Sequence, residues 1–507
     1  MRGVRLLPQR RFSRLFSLRE RGIGAVVRPR PMLQLAVGVA LGIVAVEWLP
    51  MPVAPALALG LLSVVLGVSV PAWAWLALGV ALGAARYELW RATPPAEPPP
   101  ARALLRAVGT LEPVRNGYRL LCAFEQPPRP DFVLVYFRPQ VSRPPDYGDV
   151  FQIETTWRHP PRFKRFDWAK YLERRRVHYI GTVFSERQFA VVQSGRDRWQ
   201  RQFTQARQSL RHVLRKHLAP ESAALLEGML VGATGDFPPE LREAFHRAGT
   251  GHLLATSGLH VAIGLHAVYW ALRWTPVPFA GRMGLVVAFA WLYALLAGLR
   301  PSIVRAATMA TCLLSAGIVG READSLNALG LAGALWLLIA PHALFEVGFQ
   351  YSFCAVLFIL LFYSRLERGL SALAQKLHVP TPLRRVVHQG IPSLLSVTLC
   401  AQAGISLVQL YHFGHMSLLS PIANLLAVPL AYPTLLMGFW LWLSQGVGAG
   451  VAEWLCTWQI SVAYLFGAAW VPSIRLEGLP APLVVAFYAA VLLFAPEPPL
   501  AEPEEQV

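Results

Sequence analysis

The run His252-Leu-Leu-Ala-Thr-Ser-Gly-Leu-His-Val261 sets two histidines, a serine and a threonine at the mouth of a long apolar stretch. Ser257 and His260 are three residues apart, so one helical face could hold them as a nucleophile–base pair. The same groups, with Gly258 between them, would also suit a helix break facing a water-filled path. No acid adjoins the pair to orient the histidine as a hydrolytic triad requires. Polar side chains at membrane depth cost several kcal/mol unless the protein satisfies them. The run therefore reads as a broken or re-entrant helix and not as a plain lipid anchor.

Other polar residues interrupt the apolar runs downstream. Arg300-Pro301-Ser-Ile-Val-Arg305 places two arginines around a helix start, and Asn327, Gln350, Gln402, His412 and Asn424 fall in or beside apolar segments. Taken singly, each is the kind of group that hydrogen-bonds one helix to another. Gathered in one bundle, they point to a hydrophilic passage.

The elements that must position these residues follow from composition. The 507 residues are 54% hydrophobic and only 15% charged, which excludes an ordinary soluble enzyme. The net charge is nevertheless +18, so the parts outside the membrane are strongly basic and suit anionic partners, lipid headgroups or nucleic acid. Cysteines 122, 312, 354, 400 and 456 form no CxxC pair, and no metal site or cofactor is expected. Residues 1–31 form a basic tail, read as cytoplasmic under the positive-inside rule. Residues 32–90 hold the first membrane helices, with Met32 to Trp48 one span and Val53 to Ala85 long enough for two more. Three crossings would place the next region outside the cell membrane.

The Pro-rich linker 91–100 separates these helices from a soluble, mostly β region at 101–195. Candidate strands are Ala103–Gly109, Tyr118–Phe124, Phe132–Arg138, Val150–Thr156 and Tyr179–Val192, with a helix at Asp167–Arg176. Five short strands and one helix fit a small Greek-key barrel of the OB type. Trp157, Arg158, Arg162, Phe163, Lys164, Arg165, Trp168, Lys170, Arg174, Arg175 and Arg176 alternate cations with aromatic rings. Cations that track phosphates and rings that stack on bases are what single-stranded nucleic acid requires. A basic, solvated face with core or interfacial aromatics is the competing reading.

Residues 196–250 begin with a basic amphipathic helix, its stripe Trp199, Phe203, Ala206, Leu210, Val213 or Leu214 and Leu218, expected to lie in the membrane interface. Two short helices follow. From 251 to 495 spans are expected near 253–273, 280–298, 302–319, 326–344, 347–364, 391–411, 417–443 (with breaks at Pro421 and Pro433), 449–470 and 481–495. An acidic tail occupies 496–507. The whole reads as a polytopic α-helical membrane protein of about eleven or twelve spans with an inserted small OB-like β-barrel outside the membrane.

Several motifs in this order resemble the competence DNA-uptake channel family, the ComEC-like proteins. They are the run His252–Val261, then Gly298-Leu-Arg-Pro-Ser-Ile-Val-Arg-Ala306, Ala323-Asp-Ser-Leu-Asn-Ala328 and Glu346-Val-Gly-Phe-Gln-Tyr-Ser-Phe353. Ala401-Gln402, Tyr411-His-Phe-Gly414, Ser417-Leu-Leu and Ala423-Asn-Leu-Leu-Ala-Val-Pro429 continue the series. Upstream, Phe166-Asp-Trp-Ala-Lys-Tyr-Leu-Glu-Arg-Arg-Arg176 and Tyr179-Ile-Gly181 resemble that family's external OB-like domain.

The resemblance implies a channel in the cytoplasmic membrane that takes in transforming DNA as one strand, with single-stranded DNA and membrane lipid as partners. A DNA receptor and a cytoplasmic ATPase or helicase are further expected partners, since the chain holds no GxxxxGK[ST] phosphate loop. Many members carry a metallo-β-lactamase-like domain; this chain has no HxHxDH run, so a separate nuclease would have to degrade the other strand. Some members join two cysteines in the external domain, where Cys122 here stands alone. The rival readings are a transporter of another polyanion or lipid-linked substrate and, from the Ser257–His260 pair, a membrane-embedded hydrolase.

Overall fold

The computed structural model describes residues 30–48, 74–91 and 97–495, apart from 110, 115, 142–143, 146, 163–167, 195–197, 233–236, 255, 321–323, 378, 381–383, 469 and 477. Residues 1–29 of the basic tail, 49–73 with the start of the expected spans from Val53, half of the Pro-rich linker, the acidic tail and Phe163, Lys164 and Arg165 lie outside the described residues.

Two helices come first, α1 (Pro31–Trp48) and α2 (Ala74–Arg91). They pack in parallel, with Gly38 and Gly42 against Gly79 and Gly83; a Cβ on Gly38 would stand 2.9 Å from the Cα of Gly79. Small residues four apart bring two membrane helices to backbone contact, where dispersion replaces the hydrophobic drive that lipid does not supply. Since the pair is parallel, Trp48 and Ala74 sit at opposite ends of it.

The β domain holds strands β1 (Arg102–Ala107), β2 (Glu112–Val114), β3 (Gly117–Gln126), β4 (Phe132–Phe137), β5 (Val150–Glu154), β6 (Val177–Val183) and β7 (Phe189–Gln193), with helix α3 (Trp168–Arg174) between β5 and β6. Its strand order is β6-β4-β3-β1-β5-β7, with β2 beside β3. Every pair is antiparallel except β4 with β6, whose parallel pairing needs a crossover that β5 and α3 supply. Past β5 the chain turns back: Arg158 and Ile180 exchange backbone hydrogen bonds of 3.0 and 2.8 Å. That contact brings the sheet round on itself, as a small barrel requires. Alternation fills the inside with Leu105, Leu120, Cys122, Val133, Val135, Phe137, Phe151 and Ile153, all fully buried. The expected strand Tyr179–Val192 is two strands. A polar turn at Glu186–Gln188 divides it, with the Gln188 side chain accepting the Phe184 and Ser185 amides at 2.7 and 3.2 Å.

Helices α4 (Arg198–His217), α5 (Pro220–Val231) and α6 (Pro239–Ala248) follow. The stripe of α4 does not lie on lipid. Leu210, Val213, Leu214 and Leu218 join one core with Leu225, Leu226, Ala431, Leu435 and Leu441. The buried carboxylate of Glu227 holds Arg215 at 2.6 and 3.0 Å and Arg211 at 3.6 Å, which fixes the basic face as well.

Among the described residues nine further helices overlap the nine expected segments: α7 (Gly258–Arg273), α8 (Phe279–Leu296), α9 (Pro301–Ile318), α10 (Ser325–Ile339), α11 (Val347–Ala374), α12 (Ile391–Phe413), α13 (Ser420–Leu443), α14 (Ala449–Gly467) and α15 (Ala481–Phe494). Among the described residues five stretches are long and apolar enough to cross a membrane: α1, α8, α11, α12 with the turn before it, and α13. Three shorter apolar helices accompany them, at Ser302–Ile318, Ser325–Ile339 and Ala481–Phe494. Trp440, Leu443, Trp454, Leu465 and Leu483 are more than half exposed, an outer surface suited to lipid and not to water. The protein is a polytopic helical membrane protein carrying a mixed-sheet domain. Contrary to the expected breaks, α13 is continuous. Pro421 occupies its first turn, where no amide partner is needed, and Pro429 and Pro433 are carried inside the helix. A short pair, β8 (His415–Ser417) with β9 (Ser473–Arg475), closes one end.

Candidate polar passage and nucleic-acid interface

The opening run is the junction between α6 and α7. A single 3-10 turn at Gly251–Leu253 is followed by non-helical chain, and α7 starts only at Gly258, with Ser257 extended before it. Three of the sequence motifs meet there. Thr256 donates to the Gly228 carbonyl at 3.1 Å, and Ser302 of α9 donates to the Thr256 carbonyl at 3.2 Å. Arg305, one turn further along α9, donates to the Ser352 carbonyl of α11 and lies over the Phe353 ring at 5.6 Å. Its other terminal nitrogen faces the first residue of α7, since a Cβ on Gly258 would stand 2.7 Å from it.

His260 is fully buried, and its Nδ1 accepts the Ser257 amide at 3.0 Å, with Ser257 Oγ at 3.3 Å. The imidazole thus closes the open end of α7, and the remaining ring nitrogen, Nε2, has no hydrogen-bond partner among the described residues. Among the described residues no carboxylate hydrogen-bonds His260. His252 is exposed beside buried Leu253 and Leu254.

The other expected passage residues divide. Gln350 and His412 come together: His412 Nε2 is 2.7 Å from Gln350 Oε1, and Gln350 Nε2 donates to the Leu344 carbonyl at 2.9 Å, joining α11 to α12. Asn424 is buried on α13 with its Oδ1 unbonded, and Gln402 is half-buried on α12. Arg300 precedes Pro301 at the start of α9, packed so closely on Gly232 that a Cβ there would stand 2.6 Å from its Nε. Asn327 has a structural task elsewhere. Its Oδ1 accepts the Met32 amide at 2.9 Å, and Asp324, which caps α10 through the Asn327 amide, pairs with Arg30 at 2.9 Å.

In the β domain the expected cations fall into two groups. Arg158, Arg162 and Lys170 are exposed. Arg174, Arg175 and Arg176 instead fasten the domain to the membrane helices. Arg174 pairs with Glu47 of α1 at 2.8 Å and covers the Phe345 ring at 4.2 Å. Arg175 pairs with Glu346 at 2.8 Å. Arg176, held at φ 59°, covers the Trp90 ring at 4.2 Å and donates to the Trp90 carbonyl. Trp157 and Trp168 are half-buried. The Trp157 indole donates to the Pro100 carbonyl at 2.9 Å, and Trp168 stacks on Tyr171 at 5.2 Å. Cys122 lies in the barrel core, where burial pushes its thiol well above the ordinary range, and it makes no disulfide.

Glu47, Glu227, Glu346 and Gln459 were not among the expected site residues. Each is a lone polar group in an apolar stretch, the signal that marks a functional or structural partner. Gln459, fully buried on α14, donates to Thr434 at 2.6 Å.

A protein family described as "Competence protein" matches residues 229–497, which takes in α7 through α15 and more than half of the chain. ComE operon protein 3 of Bacillus subtilis (strain 168) is 29% identical over 264 residues, 52% of this chain and 31% of that protein. The uncharacterized protein YcaI of Escherichia coli (strain K12) is 28% identical over 218 residues, 41% of this chain and 27% of its own length. An uncharacterized protein of Aquifex aeolicus (strain VF5) is 31% identical over 134 residues, 26% of this chain and 32% of that one. The matched stretch spans about a third of the length of these relatives. No solved structure matches. Helices α7 to α15 and the motifs from His252 to Pro429 fall within the matched residues, and the chain belongs to the competence protein family.

Proposed function

We propose that this protein carries DNA across the cytoplasmic membrane during competence, as a single strand. The observation that carries the reading is the meeting of three separated motifs on a buried arginine, an open helix start and a buried histidine inside an apolar bundle. The β domain, with exposed Arg158, Arg162 and Lys170, would receive the strand at one end of that bundle. Phosphates would be tracked by these cations and bases stacked on neighbouring rings.

The orientation follows from α11. This helix starts beside the β domain at Glu346 and ends about 42 Å away, at 1.5 Å per residue, near Arg365, Arg368 and Lys376. Arg384 and Arg385 follow at the same end. A basic end is the cytoplasmic one under the positive-inside rule, so the β domain faces outward and a DNA receptor would meet it there. An ATPase or helicase would work at the basic end, and a separate nuclease would remove the second strand.

The test is deletion of the gene, with labelled DNA scored separately for surface binding and for entry into the cytoplasm. Surface binding retained with entry abolished is the expected result. Normal entry would refute the channel.

A further inference from the structure

Arg305 is 6% exposed, and among the described residues no carboxylate lies within ion-pair range of it. Its Nε has no hydrogen-bond partner. A guanidinium does not deprotonate in proteins, and a buried charge without a partner costs several kcal/mol. The arrangement around it raises that cost. Nη2 of Arg305 faces Gly258, the first residue of α7, at the positive end of the helix dipole. A cation set against a helix start is unfavourable unless an anion lies between them.

His260 adds a third donor. Its Nδ1 accepts the Ser257 amide, which places the proton of the neutral ring on Nε2, and that N–H is buried without a partner. Donors are therefore brought to this junction by two helices, Arg305 by α9 and His260 by α7. Lysines or arginines on a surface would be satisfied by water; Arg305 Nε and His260 Nε2 are buried.

We propose that Arg305, the amide end of α7 and His260 Nε2–H form a binding site for one phosphate-type oxyanion within the membrane bundle. The occupant, on the reading that DNA passes through the bundle, is one phosphodiester of the moving strand at a time. A neutral imidazole and a single guanidinium hold an oxyanion without trapping it, as a conducting path requires. The absence of a Cβ at residue 258 leaves the guanidinium its approach to the helix end.

The experiment uses the full-length protein in lipid nanodiscs and follows its thermal unfolding. The probes are inorganic phosphate, oligothymidylate, and an oligothymidylate with an uncharged methylphosphonate backbone, each in chloride buffer. Phosphate and the charged oligonucleotide should raise the unfolding midpoint in proportion to the logarithm of their concentration, and the uncharged oligonucleotide should not. Arg305→Met should abolish the phosphate response, or raise the half-maximal concentration at least tenfold. Its midpoint without phosphate should equal or exceed that of the parent, because the unpaired charge is gone. A structural arginine would instead give a variant of lower midpoint.

Gly258→Ala, which sets a methyl against the guanidinium, should also lose the response and covers the case in which Arg305→Met does not fold. A parent protein indifferent to phosphate, or an equal response in the parent and both variants, overturns the site. Response to phosphate with none to the charged oligonucleotide leaves the site standing and refutes DNA as its occupant.

Discussion

Removal of Arg174 should loosen the β domain from the membrane helices, and the structure sets the scale. Its guanidinium pairs with Glu47 at 2.8 Å, with side-chain exposures of 26% and 16%, and Tyr87 donates to the other Glu47 oxygen at 2.7 Å. Stripping one partner from a buried pair costs roughly 3–5 kcal/mol because the other charge stays buried. Partial exposure of Arg174 and the surviving Tyr87 bond bring this toward about 2 kcal/mol. Loss of the contact with Phe345 at 4.2 Å adds about 1 kcal/mol. Arg174→Met should therefore cost the docked state about 3 kcal/mol, a rise of about a hundredfold in the opened population at 1.4 kcal/mol per decade. Hydrogen exchange in nanodiscs, read on peptides 86–91 and 168–177, reports the opening. The decisive measurement is the cycle with Glu47→Gln, where a coupling of about 2 kcal/mol is expected. A coupling under about 0.5 kcal/mol, or unchanged exchange, would refute the docking role of this pair.

Three other outcomes are expected. Gly79→Leu should separate α1 from α2, since its side chain meets the Gly38 backbone; overpacking of this kind costs about 1–3 kcal/mol or more and would appear as a lowered unfolding midpoint. Arg158→Gln, Arg162→Gln and Lys170→Gln combined should flatten the salt dependence of oligonucleotide binding by about 2 in log K per log salt, at about 0.7 for each phosphate no longer neutralised. Burial, then the guanidiniums of Arg175, Arg176, Arg86 and Arg174, push His342 down to about 4, so it stays neutral in the folded protein where the unfolded chain would titrate near 6.5. The stability this neutral state contributes is complete above pH 6.5. It is lost as pH falls toward 4, at about 1.4 kcal/mol per unit. His342→Gln should show a shallower decline of unfolding midpoint between pH 6.5 and 4.5 than the parent.

Helix positions from residue 258 onward were readable because an apolar run of the right length has few other uses. Most strand positions in the β domain were readable from alternation and turn residues, but not the short β2, β8 and β9 nor the polar break at Ser185–Gln188 that divides β6 from β7. Side-chain tasks were harder. Arg174, Arg175 and Arg176 follow Arg158 and Lys170 in one basic segment, yet three of these five cations answer acids or rings far off in the chain. Glu47 lies 127 positions from Arg174 and Glu346 lies 171 from Arg175. Charge type is written locally, but the counter-charge is chosen by topology. Ser257 and His260 show the reverse case: their contact is local and was expected, while its meaning depends on Arg305 arriving from α9.

Several polar groups of this bundle meet partners, while others, Trp336 Nε1, Ser396 Oγ, Ser417 Oγ and Gln459 Oε1 among them, have none among the described residues. Gln350 and His412 meet each other, Ser302 and Thr256 find carbonyls, Gln459 finds Thr434, and Glu227 holds two arginines. A purely structural account predicts that the remaining motif residues are paired as well, because an unmet donor in a low dielectric costs about 1–3 kcal/mol and a charge more. Arg305 Nε, His260 Nε2 and Asn424 Oδ1 are not paired. Two of these three belong to residues at the junction of α7 and α9, where Gly258 leaves room for the Arg305 guanidinium. On the proposed reading, an anion passing through the bundle would meet those groups in turn. The same unmet donors that weaken the resting fold are what a moving chain of phosphates could use.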